Sequence, residues 1–121
     1  MKIHEAAENY LETILIINNR QGYCRGVDIC NELKYSKPTV SVVMKQFRED
    51  KYINTDKDGK ITLTEKGFSI AKRMYERHEL LAAVLISIGV SKETAYEDAC
   101  KIEHDLSDES FAAIKNYFSN K

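Results

Sequence analysis

The chain has 121 residues, with 18 Lys and Arg against 19 Asp and Glu and a formal charge of −1. That length supports one compact domain or two small lobes with little core to spare, so pairing with a second copy is a reasonable aid to stability. Near-neutrality excludes a broadly basic coat, and Cys24, Cys30 and Cys100, without finger-like spacing, secretory leader or membrane-length apolar run, point to a cytoplasmic protein with reduced thiols.

In residues 4–19, Ala7, Tyr10, Leu11, Ile14, Leu15 and Ile17 recur at helical spacing, closed by Asn18-Asn19-Arg20-Gln21-Gly22. The polar side carries Glu5, Glu8, Asn9 and Glu12. It reads as a solvated acidic face near a helix start, although Asn9 and Glu12, three apart, can also offer oxygens to one ion.

A short helix from Arg25 to Leu33 stops at Lys34-Tyr35-Ser36. A second helix, Lys37 to Asp50, follows with Ser36 as N-cap and Pro38 in its first turn. Val40, Val43, Met44 and Phe47 fall on its inner side; Lys37, Thr39, Ser41, Val42, Lys45, Gln46 and Arg48 fall outside. Two short helices across a tight turn make a helix-turn-helix candidate. Between Lys34 and Arg48 there are four basic residues and no acidic one, a local +4. Small polar residues at the helix start suit a major groove, and flanking Lys and Arg suit phosphates. A merely solvated basic face is the bland alternative, and the position after a short helix and turn favours double-stranded DNA.

Tyr52 to Leu63 holds two β-prone runs around Asp58-Gly59, a hairpin placed as the wing of a winged helix, with Lys57 and Lys60 near its tip for phosphate contact. Thr64 caps a long helix that runs to about Ile88 and ends at Gly89. Its stretch Leu80 to Ile86 is apolar nearly all round, which calls for cover on more than one side and so for a subunit interface. Ser91 opens a further helix, and Ser107-Asp108-Glu109 opens the last, with an apolar stripe of Phe111, Ile114, Tyr117 and Phe118. From Glu76 to Lys121 there are five basic and nine acidic residues, a net −4. A basic half thus suits DNA and an acidic half suits cations.

The stretch Ala99 to Glu109 carries the chemistry. If it is helical, Cys100, Glu103 and His104 fall within roughly a 100° arc, so a thiol, a carboxylate and an imidazole point the same way, as in half of a transition-metal site. A buried Cys beside a surface Glu and His is the bland alternative. An enzyme using Cys100 and His104 as nucleophile and base is disfavoured, because no oxyanion-hole loop or orienting acid accompanies them.

The order helix, helix-turn-helix, Asp-Gly wing, then Arg77-His78-Glu79-Leu80-Leu81 and Cys100-x-x-Glu103-His104, resembles the diphtheria-toxin-repressor family of iron- or manganese-responsive bacterial repressors, over essentially the whole chain. The resemblance implies a mainly α protein: a winged helix-turn-helix DNA-binding domain over 1–72, then a helical metal-binding and dimerisation domain over 73–121. It implies metal ligands Asn9, Glu12, His78, Cys100, Glu103 and His104, and a DNA face of Lys37, Pro38, Thr39, Ser41, Lys45, Arg48, Lys57 and Lys60. Cys100 is similar to the iron branch, whose manganese counterpart has a carboxylate there, whereas Glu12 and the short length lean toward the manganese branch. Asn9 stands where the iron branch has Met and the manganese branch Asp. The iron branch's accessory Glu and His align with Ala82 and Tyr96, so that site looks incomplete, and the chain looks like a short form without the SH3-like domain.

The implied mechanism is metal as co-repressor. An ion bridging the lobes fixes the spacing of recognition helices in a homodimer for its operator, a population shift toward the binding geometry. Thiolate and neutral imidazole must bind, so affinity falls at low pH. A sulfur donor favours Fe(II), Co(II) or Zn(II) over Mn(II) on ligand type without excluding manganese. No membrane or small organic substrate is implied. The competing expectation is a dimeric winged-helix regulator whose metal site has decayed, with Asn9 as its signature.

Overall fold

The computed structural model describes residues 3–119, and the chain divides into two compact units, Met1–Lys72 and Arg73–Lys121. In the first unit α1 (Ile3–Gln21), α2 (Gly26–Leu33) and α3 (Lys37–Glu49) precede a hairpin of β1 (Ile53–Thr55) and β2 (Ile61–Leu63) and the start of α4 (Glu65–Ser87). The hairpin is antiparallel, with Ile53 opposite Leu63, Asn54 opposite Thr62 and Thr55 opposite Ile61.

Local chemistry explains each junction. Lys34 ends α2 in the left-handed region at φ 60°, and Ser36 Oγ then accepts the Thr39 N–H at 3.3 Å to start α3. In the wing, Asp56 Oδ1 accepts the N–H groups of Asp58 at 2.8 Å and Lys60 at 2.9 Å. The Lys60 N–H foremost holds the Asp56 carboxyl below its usual range. Gly59 closes that turn at φ 82°, a conformation glycine enters without a Cβ penalty. The far edge of β2 is tied down as well, since Ile61 N–H donates to the Cys24 carbonyl at 2.7 Å.

Leu11, Ile14 and Ile17 of α1, Ile29 of α2, Val40 and Met44 of α3, and Ile53 of β1 form the core of this unit. Phe47 joins them, meeting Tyr10 and Tyr52 edge-on at centroid distances of 6.0 and 5.7 Å. Val43, expected inside, is only half-buried. Cys24 is fully buried, and burial pushes its thiol up to about 12. At the start of α4, Thr64 Oγ1 accepts the Gly67 N–H at 3.1 Å and donates to the Lys51 carbonyl at 2.7 Å. The Gly67 backbone lies so close to the Tyr52 carbonyl that a Cβ there would overlap it.

The second unit consists of the rest of α4, α5 (Lys92–Ile102) and α6 (Asp108–Ser119). Leu81 and Ala82 of α4 and Ala99 of α5 make its core, with Tyr96, Leu106 and Ile114 packed against them. Gly89 at φ 107° stops α4 while Val90 N–H returns to the Leu85 carbonyl at 3.0 Å. Ser91 and Ser107 cap the next two helices, accepting from Thr94 N–H at 3.4 Å and Ser110 N–H at 3.0 Å. The apolar end of α4 is not covered: Ile86 and Ile88 are 41% and 68% exposed, and no residue of α6 is fully buried.

Two expectations change. α5 ends at Ile102, so Glu103 is its C-cap and His104 lies in the turn beyond. His104 thus sits in a turn that the Asp105 and Leu106 N–H groups close by folding back onto the Ile102 carbonyl at 3.1 and 3.2 Å. The acidic side of α1 is not a solvated face either, since Glu8 and Glu12 are 3% and 4% exposed. No helix among the described residues is long and apolar enough to cross a membrane.

Candidate metal centre and nucleic-acid interface

In the second unit α4 supplies His78, and α5 with its C-cap supplies Cys100 and Glu103. His78 Nδ1 lies 3.0 Å from Glu103 Oε2 and 3.4 Å from Cys100 Sγ. Cys100 and then Glu103, both hydrogen-bonded to the ring, push His78 up to about 10 from its ordinary 6.5, against the opposing effect of burial. His104 Nε2 stands 3.4 Å from the other carboxylate oxygen, Glu103 Oε1. Its side chain is 3% exposed, so the surface His of the bland alternative is not found.

The Glu103 carboxylate is fully buried, and its Oε1 has no hydrogen-bond partner. A buried carboxylate oxygen left in that state is costly unless a cation compensates it. The ligand atoms of His78, Cys100 and Glu103 all lie within 4.8 Å of one another. An ion about 2.0 to 2.3 Å from each donor needs separations of roughly 3 to 4.5 Å, so one sulfur, one nitrogen and one oxygen fit a divalent transition metal.

Neighbouring residues hold this cluster in place, through contacts that sequence reasoning does not register. Arg77, 4% exposed, donates from Nη1 to the Glu103 carbonyl at 3.1 Å and the Leu106 carbonyl at 2.5 Å, pairs through Nη2 with Asp108, and lies over the Phe111 ring at 5.1 Å. Tyr96 packs its ring 5.3 Å from that of His78 and donates its hydroxyl to Glu79 Oε2 at 3.1 Å. Tyr96 and the fully buried Ala82 therefore supply neither the Glu nor the His of the accessory site. On α1, Glu12 is buried and Asn9 is half-buried. The Asn9 carbonyl accepts the Thr13 hydroxyl at 2.8 Å.

In the first unit Lys37, Pro38, Thr39, Ser41, Lys45 and Arg48 are all exposed on α3, and Lys57 and Lys60 are exposed at the wing. Arg25 was not part of the expected basic face. Its Nε donates to the Asp58 carbonyl at 3.2 Å, tying the start of α2 to the wing tip. Arg25, Lys37, Ser41 and Gly59 are among the residues lining a hollow of 310 Å³ between α2, α3 and the wing.

A helix-turn-helix with a basic wing in one unit, and a sulfur, nitrogen and oxygen cluster in the other, define a winged-helix protein with a candidate metal centre. Residues 2–61 match the family profile described as the iron dependent repressor N-terminal DNA binding domain. Residues 64–120 match that of the iron dependent repressor metal binding and dimerisation domain. The chain is 39% identical over 100 residues to the HTH-type transcriptional regulator MntR of Geobacillus kaustophilus, covering 83% of this chain and 71% of that protein. It is 38% identical over 100 residues to MntR of Bacillus subtilis, covering 83% and 70%. Among solved structures, T. acidophilum IdeR is similar at TM-score 0.82 and 25% identity, covering 93% of this chain and 53% of that one. A manganese-dependent transcriptional repressor in complex with manganese is similar at TM-score 0.84 and 25% identity, covering 93% and 52%. The chain spans about half the length of these two solved chains. It belongs to the iron dependent repressor family, that of the diphtheria toxin repressor and MntR, whose members here are transcriptional regulators and not enzymes.

Proposed function

We propose that this protein is a repressor that binds double-stranded operator DNA when loaded with a divalent transition metal, Mn(II) or Fe(II), with Zn(II) and Co(II) as competitors. The observation that carries the metal reading is the buried Glu103 carboxylate, with Oε2 on His78 and Oε1 unsatisfied beside His104. His78, Cys100, Glu103 and His104 would hold the ion, which would give Glu103 Oε1 the partner that it lacks. Asn9 and Glu12, three apart on α1, enter as further ligands on that spacing and on the family resemblance. The names of the relatives favour manganese, whereas Cys100 Sγ favours softer ions.

DNA is met by α3 and the wing, with Lys37, Pro38, Thr39, Ser41, Lys45 and Arg48 on the first and Lys57 and Lys60 on the second. The uncovered Ile86, Ile88 and Ile102 favour a homodimer through the second unit, since an apolar surface of that kind is ordinarily buried against a partner. Twofold pairing then sets the distance between two recognition helices. The protein acts in the cytoplasm, where its DNA is.

The test is DNA affinity, by fluorescence anisotropy on duplexes selected from a randomised pool, with the protein chelator-treated or loaded with Mn(II) or Fe(II). Affinity should rise on loading, and His104→Ala should abolish that rise while leaving the weak binding of the chelated form unchanged. Full-strength binding after chelation, equal in wild type and His104→Ala, would instead favour the reading in which Asn9 marks a decayed site.

A further inference from the structure

The recognition helix carries its most exposed large apolar side chain where a polar one is expected. Val42 is 70% exposed, the highest value among the exposed large hydrophobic residues of the described chain. At about 100° per residue it lies nearly opposite the face formed by the buried Val40, Met44 and Phe47. A valine on the crest of a surface helix contributes nothing to the core. β-Branching also makes it a poorer helix former there than the Lys or Gln that solvent would favour.

The polar side chains around it are partly engaged within the protein. Gln46, one turn later, donates from Nε2 to Asp50 Oδ2 at 3.1 Å, and Thr39, one turn earlier, has Oγ1 2.9 Å from Ser36 Oγ. Val42, nearly opposite the core side of α3, thus presents an exposed side chain with no hydrogen-bonding group. In a major groove the one base-edge feature that an apolar side chain recognises is the C5-methyl of thymine; every other edge presents a donor or an acceptor.

We propose that Val42 is a specificity-determining residue that selects thymine, through its C5-methyl group, at one position of each half-site. The inference rests on the proposed DNA-binding function and names the base that this chain's own recognition helix reads.

The experiment uses the full chain loaded with Mn(II). Duplexes are selected from a randomised pool, and each thymine of the winning sequence is then replaced, one at a time, by deoxyuridine, which removes only the methyl group. For the wild type one thymine per half-site should stand out, losing about fourfold in affinity, the size of one buried methyl. For Val42→Ala the same replacement should change nothing, while affinity for the thymine duplex falls by a similar factor. Val42→Gln should shift the base selected at that position toward adenine, which glutamine reads through N6 and N7. The position is exposed and alanine is the better helix former, so these variants keep the fold. Identical deoxyuridine profiles for wild type and Val42→Ala, or a selection with no sequence preference, would overturn the inference and leave DNA binding standing. No DNA binding by the metal-loaded wild type would overturn both.

Discussion

Replacing Arg77 by Met tests whether the turn after α5 is held by one side chain. Methionine keeps most of the buried aliphatic stem and deletes the guanidinium. The ion pair with Asp108 counts for little, because that carboxylate is 83% exposed and screened by solvent. The two bonds to the Glu103 and Leu106 carbonyls are different, since the donor is buried and charged. Each is worth about 1.5 to 3 kcal/mol. Against them stands the buried Arg77 Nε, which has no hydrogen-bond partner and whose desolvation the substitution relieves. A net loss of roughly 2 to 4 kcal/mol follows, a large part of the stability of a small domain. Because the same turn carries Glu103 and His104, metal affinity should fall by about tenfold or more, as when the support of a ligand is removed. Urea denaturation of the chelated protein measures the first effect, and Mn(II) titration well below the unfolding midpoint the second. Arg77→Lys should be intermediate, since an ammonium lacks the fixed fork that serves both carbonyls. A chelated Arg77→Met protein within 0.5 kcal/mol of wild type and with unchanged metal affinity would refute the reasoning; that margin is about the scatter of neutral surface changes.

Gly67→Ala should destabilise the first unit, although alanine ordinarily favours a helix, because its Cβ would run into the Tyr52 backbone carbonyl and cannot be relieved by a rotamer change; thermal unfolding that shows equal or higher stability would contradict this contact. Cys24, pushed up to about 12, stays protonated in the fold when the unfolded thiol ionises near 9. Its contribution to stability is therefore full below pH 9 and is lost between pH 9 and 12. In native protein at pH 8, alkylation followed by mass spectrometry should leave Cys24 unmodified while the exposed Cys100 reacts, and Cys24→Ala should flatten the alkaline loss of stability.

The helices of this chain were legible because their signals are local. Ser36, Thr64, Ser91 and Ser107 each cap the helix they precede, and Gly89 ends α4 by the left-handed turn that its position implies. The wing was legible for the same reason, as Asp58-Gly59 is a turn sequence whatever surrounds it. Gly67 shows where such reading stops. Inside a helical pattern it registers only as a weak helix former, and its purpose appears when Tyr52, fifteen positions earlier, is found against it.

The site divides along the same line. That Cys100 and Glu103 face one way follows from helix periodicity, and the structure keeps that relation up to the C-cap. Where α5 ends does not follow, because Arg77, twenty-seven positions before His104, draws in the Glu103 and Leu106 carbonyls. A buried arginine reaching back to a distant turn leaves no periodic trace. Nor does the burial of Glu8 and Glu12, since acidic residues on the polar side of an amphipathic helix read the same whether or not solvent reaches them. His78 is the intermediate case: the Arg77-His78-Glu79-Leu80-Leu81 segment implies it as a ligand only through the family resemblance, and its distances to Cys100 and Glu103, 22 and 25 positions away, give it one proton to share with a thiol and a carboxylate.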